Sequence, residues 1–169
     1  MHLIIDGYNL LHVGRSVIYL NSIELQWERD RLIDQLSAYG KIKGWEITAV
    51  FDGWQGGWST EKRERKKGME LIFSRLGEKA DEVIKRLVKE KGSGVTVVTS
   101  DRDVSRYAER MAVAVIPSDQ FKGKMERAIV KPEKEIEEDE EEGREAKKKG
   151  PSRRPSKRER RRRAALKKL

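Results

Sequence analysis

The chain has 169 residues, no cysteine, and 38 Lys/Arg against 29 Asp/Glu, for a formal net charge of +9. Without cysteine, disulfides, Cys-ligated zinc and thiol nucleophiles are excluded, and a reducing compartment is allowed. The first apolar run is too short for a signal peptide and no run reaches membrane-spanning length, so a soluble cytoplasmic protein is expected.

Leu3 to Ile5 reads as a short buried strand that stops at Asp6, followed by Gly7, Tyr8 and Asn9. Ser22 suits a helix cap, and Leu25, Leu32, Leu36 and Tyr39 recur near helical spacing until Gly44. Glu46 to Phe51 is rich in strand-forming residues and ends at the turn signal Asp52-Gly53. Residues 54–68, "WQGGWSTEKRERKKG", read as a long loop. Met69 to Phe73 is another short apolar run. In "EKADEVIKRLVKEKG", Val83, Ile84, Leu87 and Val88 share one helical face. Val95 to Thr99 is β-branched almost throughout, as in a strand buried on both faces. A helix begins in "SDRDVSRYAERM", and Ala112 to Ile116 makes a last strand before Pro117.

Strands alternating with helices predict a three-layer α/β/α domain with a central parallel sheet. That domain is expected over residues 1–130. Residues 131–169 hold 16 Lys/Arg and 10 Asp/Glu with almost no large apolar side chains. This tail, acidic over 133–145 and basic over 147–169, is expected to be disordered, because such composition does not offset ordering entropy. The basic excess points to polyanionic partners and says nothing of fold.

Open parallel sheets bind ligands outside the carboxyl ends of their strands. Asp6, Asp52, Asp101 and Asp103 follow three such ends, and Asp81 and Glu82 open a helix on the same side. Two unit charges 4 Å apart repel by roughly 4 kcal/mol at an effective dielectric near 20. A cluster of this kind persists when it is protonated, paired, or holding a cation. An oxygen-only set suits Mg²⁺ or Mn²⁺, which leaves room for phosphate oxygens and an activated water. Metal-assisted phosphodiester hydrolysis follows as chemistry. Bland readings stand beside it. Ser100 and Asp103 fit a capping pair, and Asp81 and Glu82 suit a helix start. Asp52 suits a turn, Asn9 a cap for Leu10–Val13, and Asp119 a cap after Ser118. No local cap requirement is evident for Asp6. No phosphate-cradling glycine motif occurs, His2 and His12 fit no triad or zinc spacing, and Tyr8 replaces the second Asp that a DxD phosphatase needs.

"LIIDGYNLL", "FDG", "EKADEVI" and "VVTSDRDV", in this order, resemble the NYN family, a branch of the PIN-like nucleases, and its YacP-like members in particular. The resemblance covers about residues 1–127. It implies a PIN-like fold with strand one in the middle, an acidic metal site, and RNA as substrate, since YacP-like proteins include ribosome-associated mRNA endoribonucleases. It places Asp6, Asp81 and Asp101 at the metal positions, Asn9 beside Asp6 or the phosphate, and Asp103 and Asp52 more loosely.

The 54–68 segment interleaves Trp54 and Trp58 with Lys62, Arg63, Arg65, Lys66 and Lys67. Cations suit phosphates and indoles stack on unpaired bases, so these residues are candidate RNA contacts. The alternative is a solvated loop with one Trp on the core. The basic loop and tail are candidate ribosome contacts. The sequence thus predicts a metal-dependent endoribonuclease acting on single-stranded RNA. A non-catalytic RNA- or ribosome-binding protein is the alternative, and a small-phosphoester phosphatase a third reading.

Overall fold

The computed structural model describes residues 1–14, 21–53, 58–130 and 156–168. In chain order these are β1 (His2–Asp6), α1 (Gly7–Leu11), α2 (Ser22–Lys43), β2 (Glu46–Phe51), β3 (Lys62–Lys66) and β4 (Met69–Phe73). Then come α3 (Ala80–Lys91), β5 (Val95–Val98), α4 (Arg102–Arg110), β6 (Ala114–Ile116), α5 (Ser118–Val130) and α6 (Lys157–Lys168). The six strands form one sheet in the order β3-β4-β2-β1-β5-β6. All neighbours run parallel except β3, which is antiparallel to β4. Strand one lies in the interior of the sheet, as expected. Among the described residues no helix is long and apolar enough to cross a membrane.

The period-two alternation of strand side chains sorts the core into two layers. Leu3, Ile5, Ala49, Phe51, Leu71 and Phe73 face α1, α2 and α5, packing on Leu10, Leu36, Tyr39 and Phe121. Ile4, Val50 and Ile72 face the other way, onto Val83, Ile84 and Leu87 of α3 and Val104 and Ala108 of α4. Asp6 continues the Ile4 series by the same alternation, which directs it to the α3/α4 side.

Three details differ from the sequence reading. The cap of α2 is Asn21, not Ser22: its side chain accepts from the N–H groups of Ile23 and Glu24, and Glu24 answers to the Asn21 N–H in a capping box. The segment read as a loop contains β3, joined to β4 by Lys67-Gly68, both with positive φ (54° and 84°). Two left-handed residues in a two-residue connection make the hairpin turn that suits strand twist. The strand hid because "KRERK" has no apolar residue. It is an edge strand, where charge blocks unwanted pairing. Lastly, the end of the basic tail is not disordered. Residues 157–168 form a helix with Ala165 buried and Leu166 packed on the core, while the acidic block 133–145 lies outside the described residues.

Candidate active site

Five parallel strands end on one edge of the sheet, and the carboxylates gather there. Asp6 closes β1 and is 6% exposed. It does have a local role that the sequence did not reveal: it caps the short helix α1, accepting from the Asn9 N–H through Oδ1 at 3.2 Å. Its Oδ2 accepts from the Thr99 hydroxyl at 3.0 Å. Burial pushes the Asp6 carboxyl up to about 6, against these two hydrogen bonds and with a further push from Asp81 and Asp52.

Asp101 follows β5 and caps α4, accepting from the N–H groups of Asp103 and Val104 through Oδ1 at 2.8 and 2.9 Å. The capping residue is therefore Asp101, not the Ser100/Asp103 pair. Its own N–H donates to the Thr99 hydroxyl oxygen at 3.0 Å, so Thr99 links Asp6 to Asp101. Asp81 lies in the first turn of α3, half-buried. Its carboxyl is raised by burial first and then by Asp101 and Asp52, against the pull of Lys85 and Lys79. Asp81 makes no hydrogen bond or ion pair among the described residues, so its oxygens are available.

Asp52 is more than a turn residue. The residue preceding α3, Lys79, offers no side-chain cap, and Asp52 supplies it from the end of β2, accepting from the Ala80 N–H at 2.7 Å. This long-range cap fixes the start of α3 and hence Asp81. Asp52→Ala is expected to lower stability by about 1 kcal/mol in urea denaturation, with Asp52→Asn retaining most of it because the amide oxygen still accepts. Equal midpoints for wild type and Asp52→Ala would refute the cap.

Asn9 does not hold Asp6 with its side chain. Its Oδ1 accepts from the Ser100 N–H at 2.9 Å and the Ser118 hydroxyl at 2.7 Å. Both acceptor sites are filled, so its amide –NH₂ is left as a donor at the carboxylate edge, with no acceptor among the described residues. Nothing in the sequence singles out Thr99, and Ser100 and Ser118 figure there only beside the capping carboxylates Asp103 and Asp119. Their signal is the row of hydroxyls in "TSDRD" and "PSD", next to the carboxylates at two strand ends.

Asp103 does not join the cluster. It is exposed and paired with Lys85 at 2.6 Å, which holds its carboxyl below the usual range. Asp119 sits in the first turn of α5.

The candidate RNA contacts of 54–68 are dispersed. Trp54 lies outside the described residues. Trp58 packs on the core edge-on to Phe73, with Lys62 Nζ 4.7 Å above its ring. Arg63 pairs with Glu61 at 2.7 Å, Lys66 with Asp30 at 2.9 Å, and Lys67 with Asp34. Arg65 lies between them on β3. The antiparallel register carries Lys66 and Lys67 to the end of the sheet away from the carboxylates. Most of this charge is thus already matched within the fold.

The donor set fits a hard divalent cation in its chemistry: oxygen only, Asp6 and Asp81 raised by burial first and by neighbouring carboxylates second, and an Asp81 carboxylate with no partner among the described residues. In geometry it is not preformed. Among the described residues, no three acidic or imidazole side chains stand together as a cation site.

An open, mostly parallel sheet flanked by helices, with acidic side chains at the carboxyl edge of its interior strands, is the α/β architecture that the resemblance to PIN-like domains implies. The chain belongs to the YacP-like NYN domain family, which it matches over residues 3–166. This family is one of nuclease-type domains. One relative, the protein YacP of Bacillus subtilis strain 168, described as uncharacterized, is 30% identical over 116 residues, 66% of this chain. The match covers 64% of that relative's length, just under two thirds. Two crystal structures of Rae1 (YacP) from Bacillus subtilis share the fold. A single-residue mutant gives a TM-score of 0.65 at 20% identity, covering 99% of this chain and 98% of that one. The other gives 0.58 at 23% identity, covering 86% and 87%.

Proposed function

We propose that this protein is a metal-dependent endoribonuclease that hydrolyses single-stranded RNA, mRNA in particular, in the cytoplasm and in association with ribosomes. The observation that carries the reading is the buried Asp6 carboxylate at the end of the interior strand, hydrogen-bonded to Thr99, with the charges of Asp81 and Asp52 acting on it and that of Asp101 acting on Asp81. A Mg²⁺ or Mn²⁺ ion held by Asp6, Asp81 and Asp101 would supply charge neutralisation at the phosphate and an acidified water. The chain's own groups do the rest. Thr99 fixes the Asp6 carboxylate by its hydroxyl and the Asp101 backbone by its oxygen. The Asn9 –NH₂, held by Ser100 and Ser118, is aimed as a donor for a phosphate oxygen. Lys85 neutralises Asp103 and Glu82, which would otherwise repel the RNA backbone.

The test is cleavage of end-labelled RNA by the purified full chain, on and off ribosomes. Cleavage with Mn²⁺ that stops on adding chelator is expected; chelator-resistant cleavage would overturn the metal requirement. A second reading, a non-catalytic RNA- or ribosome-binding protein, is favoured by the absence of a preformed ion site among the described residues and by the hydrogen bonds already on both Asp6 oxygens. Mn²⁺ binding that survives Asp6→Asn, with no cleavage by wild type, would select it.

A further inference from the structure

We propose that helix α6 and helix α4 form the walls of an arginine-lined groove that receives the phosphate backbone of the RNA strand entering the carboxylate edge. The proposal rests on the reading of the protein as an RNA-acting enzyme and names the track by which substrate reaches that site.

The groove has a volume of about 370 Å³. It starts at Thr99 and Ser100, which hydrogen-bond Asp6 and Asn9, and so lies next to the candidate active site. One wall carries Arg102 and Arg106 of α4, the other Arg158 and Arg162 of α6. Within each helix the two arginines are four residues apart, hence on one face and about 6 Å apart along the axis. A second hollow of about 210 Å³ continues past Arg158 and Arg162 to Arg161.

The helix is held there by its own packing. Ala165 is buried, Leu166 lies on the core, and Arg158 pairs with Glu109 at 2.6 Å. Among the described residues Glu109 is the single carboxylate lining the groove, and this pair neutralises it. Arg102, Arg106 and Arg162 make no ion pair or hydrogen bond with any described residue. Three guanidinium groups without an ion pair or hydrogen bond among the described residues are the reverse of the β3 cations, whose charge is largely taken up by Glu61, Asp30 and Asp34. Guanidinium forks match phosphate oxygens in planar, two-point fashion. Among the described residues the lining offers only Val115 and Pro117 as apolar surface, too little to anchor a protein segment. An extended RNA backbone is the polyanion that fits both this chemistry and the continuity with the carboxylates.

The test is fluorescence anisotropy of a labelled single-stranded RNA on the full chain, titrated with salt in chelator so that binding is read without cleavage. Arg106→Gln/Arg162→Gln is expected to lower the slope of log K against log salt by about 1.4, two contacts at about 0.7 each. The affinity lost between 50 and 200 mM salt should then shrink by about sevenfold relative to wild type. Lys41→Gln/Lys89→Gln, which removes the same charge from helix faces elsewhere, should leave the slope unchanged. Arg106→Lys/Arg162→Lys should restore it, showing that the neutral pair is folded and that charge is the cause. A wild-type slope in the glutamine pair overturns the groove, as does an equal loss in both double variants. Loss of binding to a polyglutamate peptide with RNA binding intact also overturns it, in favour of an acidic protein segment. Arginine-dependent binding by a wild-type protein that cleaves no RNA keeps the groove and overturns the nuclease.

Discussion

Asp6→Asn should abolish RNA cleavage and, at neutral pH, make the protein more stable. Loss of one electrostatic group from an active site commonly costs at least about a hundredfold in rate. A buried carboxylate at the end of the interior strand is the group here whose charge the fold least tolerates. Its pKa is raised from 3.8 to about 6, roughly two units, so holding it ionised in the folded state costs about 3 kcal/mol. The sign follows from proton uptake. Between about pH 4 and 6 the folded protein binds more protons at Asp6 than the unfolded chain, so this contribution to stability falls as pH rises through that window. Above about pH 6 the full cost is present; below about pH 4 it is absent. The neutral Asn avoids it and still accepts from the Asn9 N–H, although the Thr99 hydroxyl must turn to accept from the new amide. A net gain of about 1–2 kcal/mol at pH 7.5 is expected, vanishing near pH 4, by urea denaturation at the two pH values. Mn²⁺ should stabilise wild type against heat and leave Asp6→Asn unmoved. Cleavage by Asp6→Asn at the wild-type rate would sink the active-site reading. A variant less stable than wild type at pH 7.5 would instead show that the carboxylate's hydrogen bonds outweigh its burial.

Gly53→Ala should be the most damaging methyl group that can be added at the edge of the site. A Cβ at Gly53 would stand 1.8 Å from the Ser74 carbonyl oxygen and 2.9 Å from its carbon, both backbone atoms. The exits of β2 and β4 are stitched at this point. Ser74 donates its N–H to the Phe51 carbonyl at 3.0 Å, and its hydroxyl oxygen accepts from the Gly53 N–H at 3.0 Å. The same hydroxyl donates to the Glu78 carbonyl at 2.6 Å, leading into α3. A methyl group cannot enter without parting the two strands. A loss of about 3 kcal/mol or more is expected, at the severe end for overpacking. Activity should fall with it, since Asp52 and through it Asp81 hang on this junction. Gly123→Ala makes the contrast. Gly123 lies inside α5 with open space around it, so the same methyl should add about 0.5–1 kcal/mol. Gly53→Ala denaturing at the wild-type urea midpoint would refute the close approach.

Much of the fold was readable because its signals are local. β-branched runs at Val95–Val98 and Glu46–Phe51, separated by segments of helical periodicity, specify parallel strands covered by helices whatever the distant partners are. Local patterns are ambiguous elsewhere. "KRERK" carries no apolar residue and becomes a strand only because β4 presents a free edge to it. "KRERRRRAALKKL" looks like a solvated tail, and its few apolar residues acquire meaning only when Ala165 and Leu166 find the core beside β6. Lys62 to Lys67 look like a nucleic-acid patch until Glu61, Asp30 and Asp34 are brought against them.

The sequence by itself determined the fold class, the edge of the sheet where chemistry would collect, and the acidic residues Asp6, Asp81 and Asp101 that stand there. These follow from short-range periodicity and from the rule that strand ends of one polarity share one edge. Only the tertiary structure decided the state of each group. Asp6 is a cap as well as a candidate ligand, Asp52 caps a helix 28 residues away, Asn9 is turned by residues 91 and 109 positions distant, and Asp103 is withdrawn by Lys85. Burial, hydrogen-bond saturation and charge pairing depend on which distant segments meet, and no local pattern in a single chain records that.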